Sequence, residues 1–435
     1  MKKILLSLII ISALSFSAET ETTKLVVHNL IPGSAAEAAG IRPGDIFLEY
    51  DGKPTHTLND LFKLKSTVIT ESVNVVLLRG DKKITYRLPK GQMGVYLKEL
   101  MPDIKYLKDA VVIEGIPKLD WSTGKYCSFH AALEIIANHL GIEKDYLYIS
   151  GVSGTPFRLQ FHKDWCPSSP DPGCGYNSDE QAFNALGINY HGQYVPQDDT
   201  AGQKELLEEI KASIDKGMVV MAADLIGVPE WGIITGYQNG GKELICRTYY
   251  DRRDGYDIAD KFPWMVYFID GKTKRPEDRD NFKRSFAIAL ENLTTENYDL
   301  YRSGIAAFDF WLKRLKTDNF EAMDSIHFTT ACQANAWIYE RLIEDRTLAV
   351  RYLERIADEF PKLAAKIKRL AKIYEKEVEI LKPAQETVIY SFNLKSRADW
   401  SEKMRQEEIA RLAKAKEEEE EALKIWKEIV EGVKK

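Results

Sequence analysis

Cys127 is the residue of this 435-residue chain whose setting most suggests nucleophilic chemistry. Downstream of it Ala131, Ala132, Leu133, Ile135, Ile136 and Leu140 recur at helical spacing until Gly141, which places the thiol in the first turn of a helix. Unpaired amides and the helix dipole at such a position favour the thiolate, the nucleophilic form of cysteine. A thiol mechanism also needs a base. The candidates from the sequence alone are His130, three residues on and on the same helix face, and His162 and His191, both expected in loops. Ser153, in Gly151-Val152-Ser153-Gly154, lacks the Gly-x-Ser-x-Gly spacing of a hydrolase elbow and reads as a turn.

The other cysteines are read through export. Met1 to Ala18 opens with Lys2-Lys3, continues as an apolar run from Ile4 to Ile11 and ends in small residues, the pattern of a signal peptide over residues 1–18. The mature protein is then expected in the periplasm or outside the cell, with no stable membrane span after cleavage. In that setting Cys166 and Cys174, which bracket a Pro/Gly-rich loop, are expected to form a disulfide. The cysteine spacings match no zinc site, so neither metal nor other cofactor is expected. A formal charge of −6 and the absence of basic runs interleaved with aromatics exclude nucleic acid as a partner class.

These residues need elements to position them, and the chain reads as multidomain α+β. Lys24 to Ile31 reads as a strand, Ala35 to Gly40 as a short helix, and Ile46 to Tyr50 as a strand. Leu58 to Val68 is an amphipathic helix capped by Thr57, and two strands, 72–79 and 82–88, meet at Gly80-Asp81. The run Pro32-Gly33-Ser34-Ala35-Ala36-Glu37-Ala38-Ala39-Gly40-Ile41-Arg42-Pro43-Gly44-Asp45-Ile46, followed by Asp51-Gly52-Lys53-Pro54, resembles bacterial PDZ domains, here over residues 20–100. The resemblance implies that protein C-termini or extended peptides are the partners. The carboxylate would be held by Gly91, Gln92, Met93 and Gly94, and the peptide would lie between Val95 and the helix bearing Leu61, Leu64 and Lys65.

Residues 101–275 form a second region. Ala110 to Ile113 reads as strand-like and Lys204 to Lys216 as a helix. Met218 to Ala223, Gly232 to Tyr237 and Glu243 to Asp251 read as strands. With Gly124-Lys125-Tyr126-Cys127 ahead of a helix and a Gly236-Tyr237 strand downstream, the region resembles the butirosin biosynthesis protein H acyltransferases and the bacteriocin-processing cysteine peptidases. That implies a papain-like α/β cysteine domain. The resemblance places Glu230 where such families carry their histidine base, and Asp251 where they carry the orienting acid. Residues 276–385 read as a helix bundle with Trp311, Trp337, Tyr339, Tyr352 and Tyr374 in its core. Residues 386–435 read as a charged, solvated or partner-contacting helix. Two functions are expected: an exported peptide-binding protein with a degenerate cysteine domain, or an active cysteine acyltransferase or peptidase whose first domain recruits substrate.

Overall fold

A computed structural model of the chain describes residues 23–31, 33–67, 71–89, 93–384, 388–391, 394 and 396–434. The signal-peptide region falls outside them, as do Gly91 and Gln92. The chain divides into two compact units, one of residues 1–105 with 251–257, the other of residues 106–250 with 258–435.

In the first unit, β1 (Lys24–Leu30), α1 (Ala35–Ala38), β2 (Ile46–Tyr50), β3 (Lys53–Pro54), α2 (Leu58–Thr67), β4 (Ser72–Arg79), β5 (Lys82–Pro89) and β6 (Val95–Leu100) follow one another. The strands form one antiparallel sheet in the order β5-β4-β2-β1-β6, with β3 on β2. Alternation in β4 sends Val73, Val75 and Leu77 inward. They meet Leu25, Val27, Phe47 and Leu61 of α2 in one core. Thr57 caps α2 through the Asp60 amide, 3.1 Å away. Asp45 is buried and held by Arg79, Nε to Oδ1 2.7 Å and Nη2 to Oδ2 2.6 Å, and by the Arg42 amide at 2.9 Å. Burial opposes its charge, but these bonds outweigh it and keep the carboxyl below the usual range.

The second unit runs through the boundaries drawn from sequence at 275 and 385. Its elements are β7 (Val111–Val112), α3 (Ser128–His139), α4 (Tyr146–Ser153), β8 (Gln160–His162), α5 (Ser178–Leu186), β9 (Ile188–Tyr194), α6 (Thr200–Asp215), β10 (Val220–Ala223), β11 (Trp231–Gln238), β12 (Glu243–Arg247), β13 (Asp257–Ile258), β14 (Met265–Lys272), α7 (Asp278–Thr294), β15 (Asn297–Tyr298), β16 (Tyr301–Ser303), α8 (Gly304–Thr317), α9 (Ser325–Ile356), α10 (Ala364–Leu381) and α11 (Glu402–Val433). The main sheet has the order β13-β12-β11-β10-β14-β9, with β7 on β11. Both its faces are covered. Ile234, Val220, Val266 and Phe268 pack against Leu206, Ile210 and Ile214 of α6. On the other face Phe129 of α3 meets Trp231 and Tyr267 edge-on. β7 approaches β11 at Gly236, where a Cβ would overlap the Val111 carbonyl, so only glycine fits there.

Two expectations need correction here. α11 is no solvated helix: Ile409, Leu412, Ala415, Ala422, Trp426 and Ile429 are buried. Its buried stripe also carries Arg405, Glu408 and Glu419, and these charges disguise the period in the sequence. The Cys166–Cys174 disulfide is the other. Both thiols are free. The loop is closed instead by successive turns, Ser169 N to Cys166 O at 3.1 Å, Asp171 N to Ser168 O at 2.9 Å and Cys174 N to Asp171 O at 3.0 Å. Buried Arg158 donates to the Asp171 and Cys174 carbonyls. Hydrogen bonds do there what a covalent link was expected to do.

Candidate functional site

Cys127 is the N-cap of α3, and its side chain makes no capping bond. Only 4% of the residue is exposed. Its backbone amide donates to Tyr146 Oη at 2.9 Å, and that hydroxyl donates to Glu344 Oε1 at 2.8 Å. Glu344 in turn accepts from the Tyr126 amide at 3.2 Å and from Arg341 Nη1 at 2.7 Å. Tyr249, stacked on Trp121, donates to the Lys125 carbonyl at 2.5 Å. The start of the helix is therefore covered by aromatic rings rather than open. Burial pushes the Cys127 thiol up to about 12, and the charge of Arg341 only partly offsets it. Desolvation outweighs the helix dipole, so the thiolate expected from sequence is not the resting form.

The three candidate histidines make their hydrogen bonds with other residues. His130 is fully buried, with Nδ1 3.2 Å from Ser150 Oγ and Nε2 3.3 Å from Ser153 Oγ and 3.4 Å from Thr155 Oγ1. Burial, aided by the charges of Arg341 and Arg158, holds it well below the usual histidine range, so it is a neutral core imidazole. Ser153, read as a turn, ends α4 and belongs to this network. His162, on β8, accepts from the Asp164 amide at 3.1 Å and lies edge-on to Tyr301. His191, on β9, bonds Asp270 and Glu209, both at 2.8 Å. Burial works against its charged form, but the two carboxylates outweigh it and raise its pKa.

Glu230 does reach the helix start, yet it bonds the neighbour of Cys127: the Ser128 hydroxyl donates to Glu230 Oε2 and accepts from the Trp231 amide at 3.2 Å. Burial raises the Glu230 carboxyl, while the Ser128 bond lowers it. Trp231 Nε1 continues the chain to Asp171 Oδ2 at 2.7 Å. Asp251 is buried, at the start of the 251–257 segment. Burial pushes the Cys174 thiol up to about 11 despite its bond to Tyr301. Sequence reasoning missed Ser128, Tyr146, Tyr249, Arg341 and Glu344. Ser128 adjoins a residue already singled out, while Arg341 and Glu344 lie some two hundred positions away with no local motif. A groove of about 410 Å³, lined by Lys118, Lys125, Glu134, Asn138 and His139 among others, runs beside α3 and does not include Cys127. Among the described residues no cluster of three His, Cys, Asp or Glu could hold a metal ion. No described helix is long and apolar enough to cross a membrane.

The first unit holds the other candidate site. β6 is an edge strand, paired on one side with β1 through Leu97↔Val27 and Val95↔Leu30. Val95 and Leu97 of β6, with Leu61 and Leu64 of α2, pack on the same core, so strand and helix border one groove. Lys65 is half-buried on the same helix. At the end of the groove where β6 begins, Met93 is buried and Gly94 adopts φ +79°. The Gly94 carbonyl accepts from Ile31 N at 2.9 Å and from Ser34 Oγ at 3.2 Å. A Cβ at Gly94 would overlap Ser34, so any side chain there strains the turn itself as well as changing the groove.

The comparisons with known proteins converge on this unit. The family model for the PDZ domain matches residues 26–79, so this stretch is a PDZ domain. A protein of Mesorhizobium japonicum named as a zinc metalloprotease is 32% identical over 81 residues, 19% of this chain and 22% of that protein. A protein of Synechocystis named as serine protease HhoA is 31% identical over 77 residues, 17% of this chain and 19% of that one. The chain thus spans about a fifth of the length of these relatives.

Proposed function

We propose that the chain is an exported peptide-binding protein. Its PDZ domain takes protein C-termini or extended peptides, and its second unit keeps the layout of a papain-like cysteine domain without an activated thiol. The observation that carries the first half is the open edge of β6 facing α2, with the Gly94 turn at its start. An extended ligand can add there as a further strand, its main chain bonding β6 and alternate side chains entering the groove. The apolar lining fits hydrophobic terminal residues. Binding of a free-acid peptide against its amide by the full chain tests this half.

The sealed thiol supports the second half. Iodoacetamide labelling of the native chain against pH, with the urea-unfolded chain as reference, separates it from an active cysteine enzyme. Cys127 is expected to label far more slowly than in the unfolded chain at pH 7, with no inflection below pH 9. Fast labelling with an inflection near or below pH 7 would favour the enzyme reading, and would place the peptide groove in the service of substrate recruitment.

A further inference from the structure

We infer that Glu99 makes the PDZ groove selective for peptides with a basic side chain four residues before the C-terminal residue. The inference rests on the peptide-binding reading above and names what that site prefers. Side chains two apart on a strand share a face, so Val95, Leu97 and Glu99 of β6 point the same way. Val95 and Leu97 pack on the core shared with α2. Glu99 reaches the helix itself, where Oε1 accepts from the Leu58 amide at 2.5 Å.

A peptide antiparallel to β6 with its last residue beside Val95 advances along the strand at the same rise, about 3.4 Å per residue. Its third-from-last residue then lies beside Leu97, and the residue four before the last beside Glu99. Directly opposed residues put their side chains on one face, so this last side chain is turned toward the Glu99 carboxylate.

Two carboxylates, Glu99 and Asp60, stand at that end of the groove, the second with the charge of Lys63 beside it. Asp60 sits in the first turn of α2, its Oδ2 accepting from the Thr57 amide at 3.1 Å and the His56 amide at 3.4 Å. No cation pairs with Glu99 among the described residues. Lys65 lies near the other end of α2, toward the ligand carboxylate. Arg252 and Arg253 of the 251–257 segment are both engaged by Asp257. A ligand carrying a terminal carboxylate at one end and a lysine or arginine four residues earlier matches this polarity.

Two free-acid decapeptides test it on the full chain. They are identical, apolar at the last and third-from-last positions, and differ only by Lys or Glu four residues before the last. Fluorescence anisotropy is expected to show the lysine peptide binding roughly threefold to tenfold more tightly, from partly exposed charge pairs, with the ratio shrinking at high salt. Glu99→Gln keeps an oxygen for the Leu58 amide and is expected to bring the ratio close to one. Equal binding of the two peptides by the unaltered chain, or an unchanged ratio in Glu99→Gln, would overturn the role of Glu99 while leaving the groove a peptide site. Failure of both peptides to bind would remove the peptide-binding reading itself, and the inference with it.

Discussion

Replacing Arg346 by alanine is expected to cost the second unit about 3–5 kcal/mol, read from chemical denaturation followed by circular dichroism. The guanidinium is 0% exposed and gathers three helices and a turn. Its Nη1 donates to the Pro156 carbonyl at 2.7 Å and the Arg158 carbonyl at 3.2 Å. Nε meets Glu377 of α10 at 3.2 Å, and Nη2 pairs with Glu419 of α11. Its face lies over the Tyr374 ring, whose hydroxyl accepts from Trp426 Nε1 at 2.9 Å. Truncation would leave the Pro156 and Arg158 carbonyls dry and unpaired, and the buried Glu377–Glu419 pair without its cation. Replacing all three partners together, Arg346→Met with Glu377→Leu and Glu419→Leu, is expected to restore most of the loss, because the penalty lies in the unpaired remainder. A loss under about 1 kcal/mol for Arg346→Ala would contradict the buried placement of these charges.

The second unit is also expected to lose stability as pH rises from about 5 to 9. Among the carboxyls that burial raises there are Glu408, to about 8, Asp345, to about 7, and Glu377 and Glu419, above the usual range. Arg346 counters the last two, while the charge of Glu419 pushes Glu377 further up. A group whose folded pKa exceeds its unfolded value binds more protons when folded, so its contribution is complete below the unfolded pKa and disappears as pH climbs through the folded one. Each such group contributes a slope of at most about 1.4 kcal/mol per pH unit within its window. Asp278 has the opposite sign. Burial opposes its charge, but Lys144, Arg275 and Tyr148 hold it down to about 2, so its contribution is present above pH 4 and lost in acid. The melting temperature should therefore peak in mildly acid solution. Glu408 accepts from Asn335 Nδ2 at 3.1 Å. Glu408→Gln is expected to flatten the alkaline fall, with a gain at pH 9 on the order of a few kcal/mol and little change at pH 5. An alkaline limb as steep in the variant as in the parent would show that Glu408 is charged in the fold.

How far the sequence reaches can be judged element by element. In the first unit β4 and β5 lie within a residue of the expected strands, and α2 begins at the expected Thr57 cap, because alternation, a two-residue turn and a capping hydroxyl are all local signals. In the second unit α3 and β11 were legible for the same reason. β9 and β14 were not singled out. β9 mixes Asn189, His191 and Gln193 among its apolar residues, and its partner β14 lies more than seventy positions downstream. The burial of α11 was hidden by Glu419, whose justification is Arg346 on another helix. The same limit governs Cys127. Its place at a helix start was readable, whereas the tyrosines that cover it and the serine that takes Glu230 are tertiary facts.

The central claim is that the PDZ domain binds peptide C-termini, and calorimetric titration of the full chain with one hydrophobic peptide, as the free acid and as the C-terminal amide, tests it most directly. If main-chain amides at the start of β6 hold the carboxylate, amidation removes charge-assisted hydrogen bonds of about 1.5–3 kcal/mol, so the free acid should bind roughly tenfold to a hundredfold more tightly. Equal affinity for the two forms, or no binding of the free acid, would contradict the account.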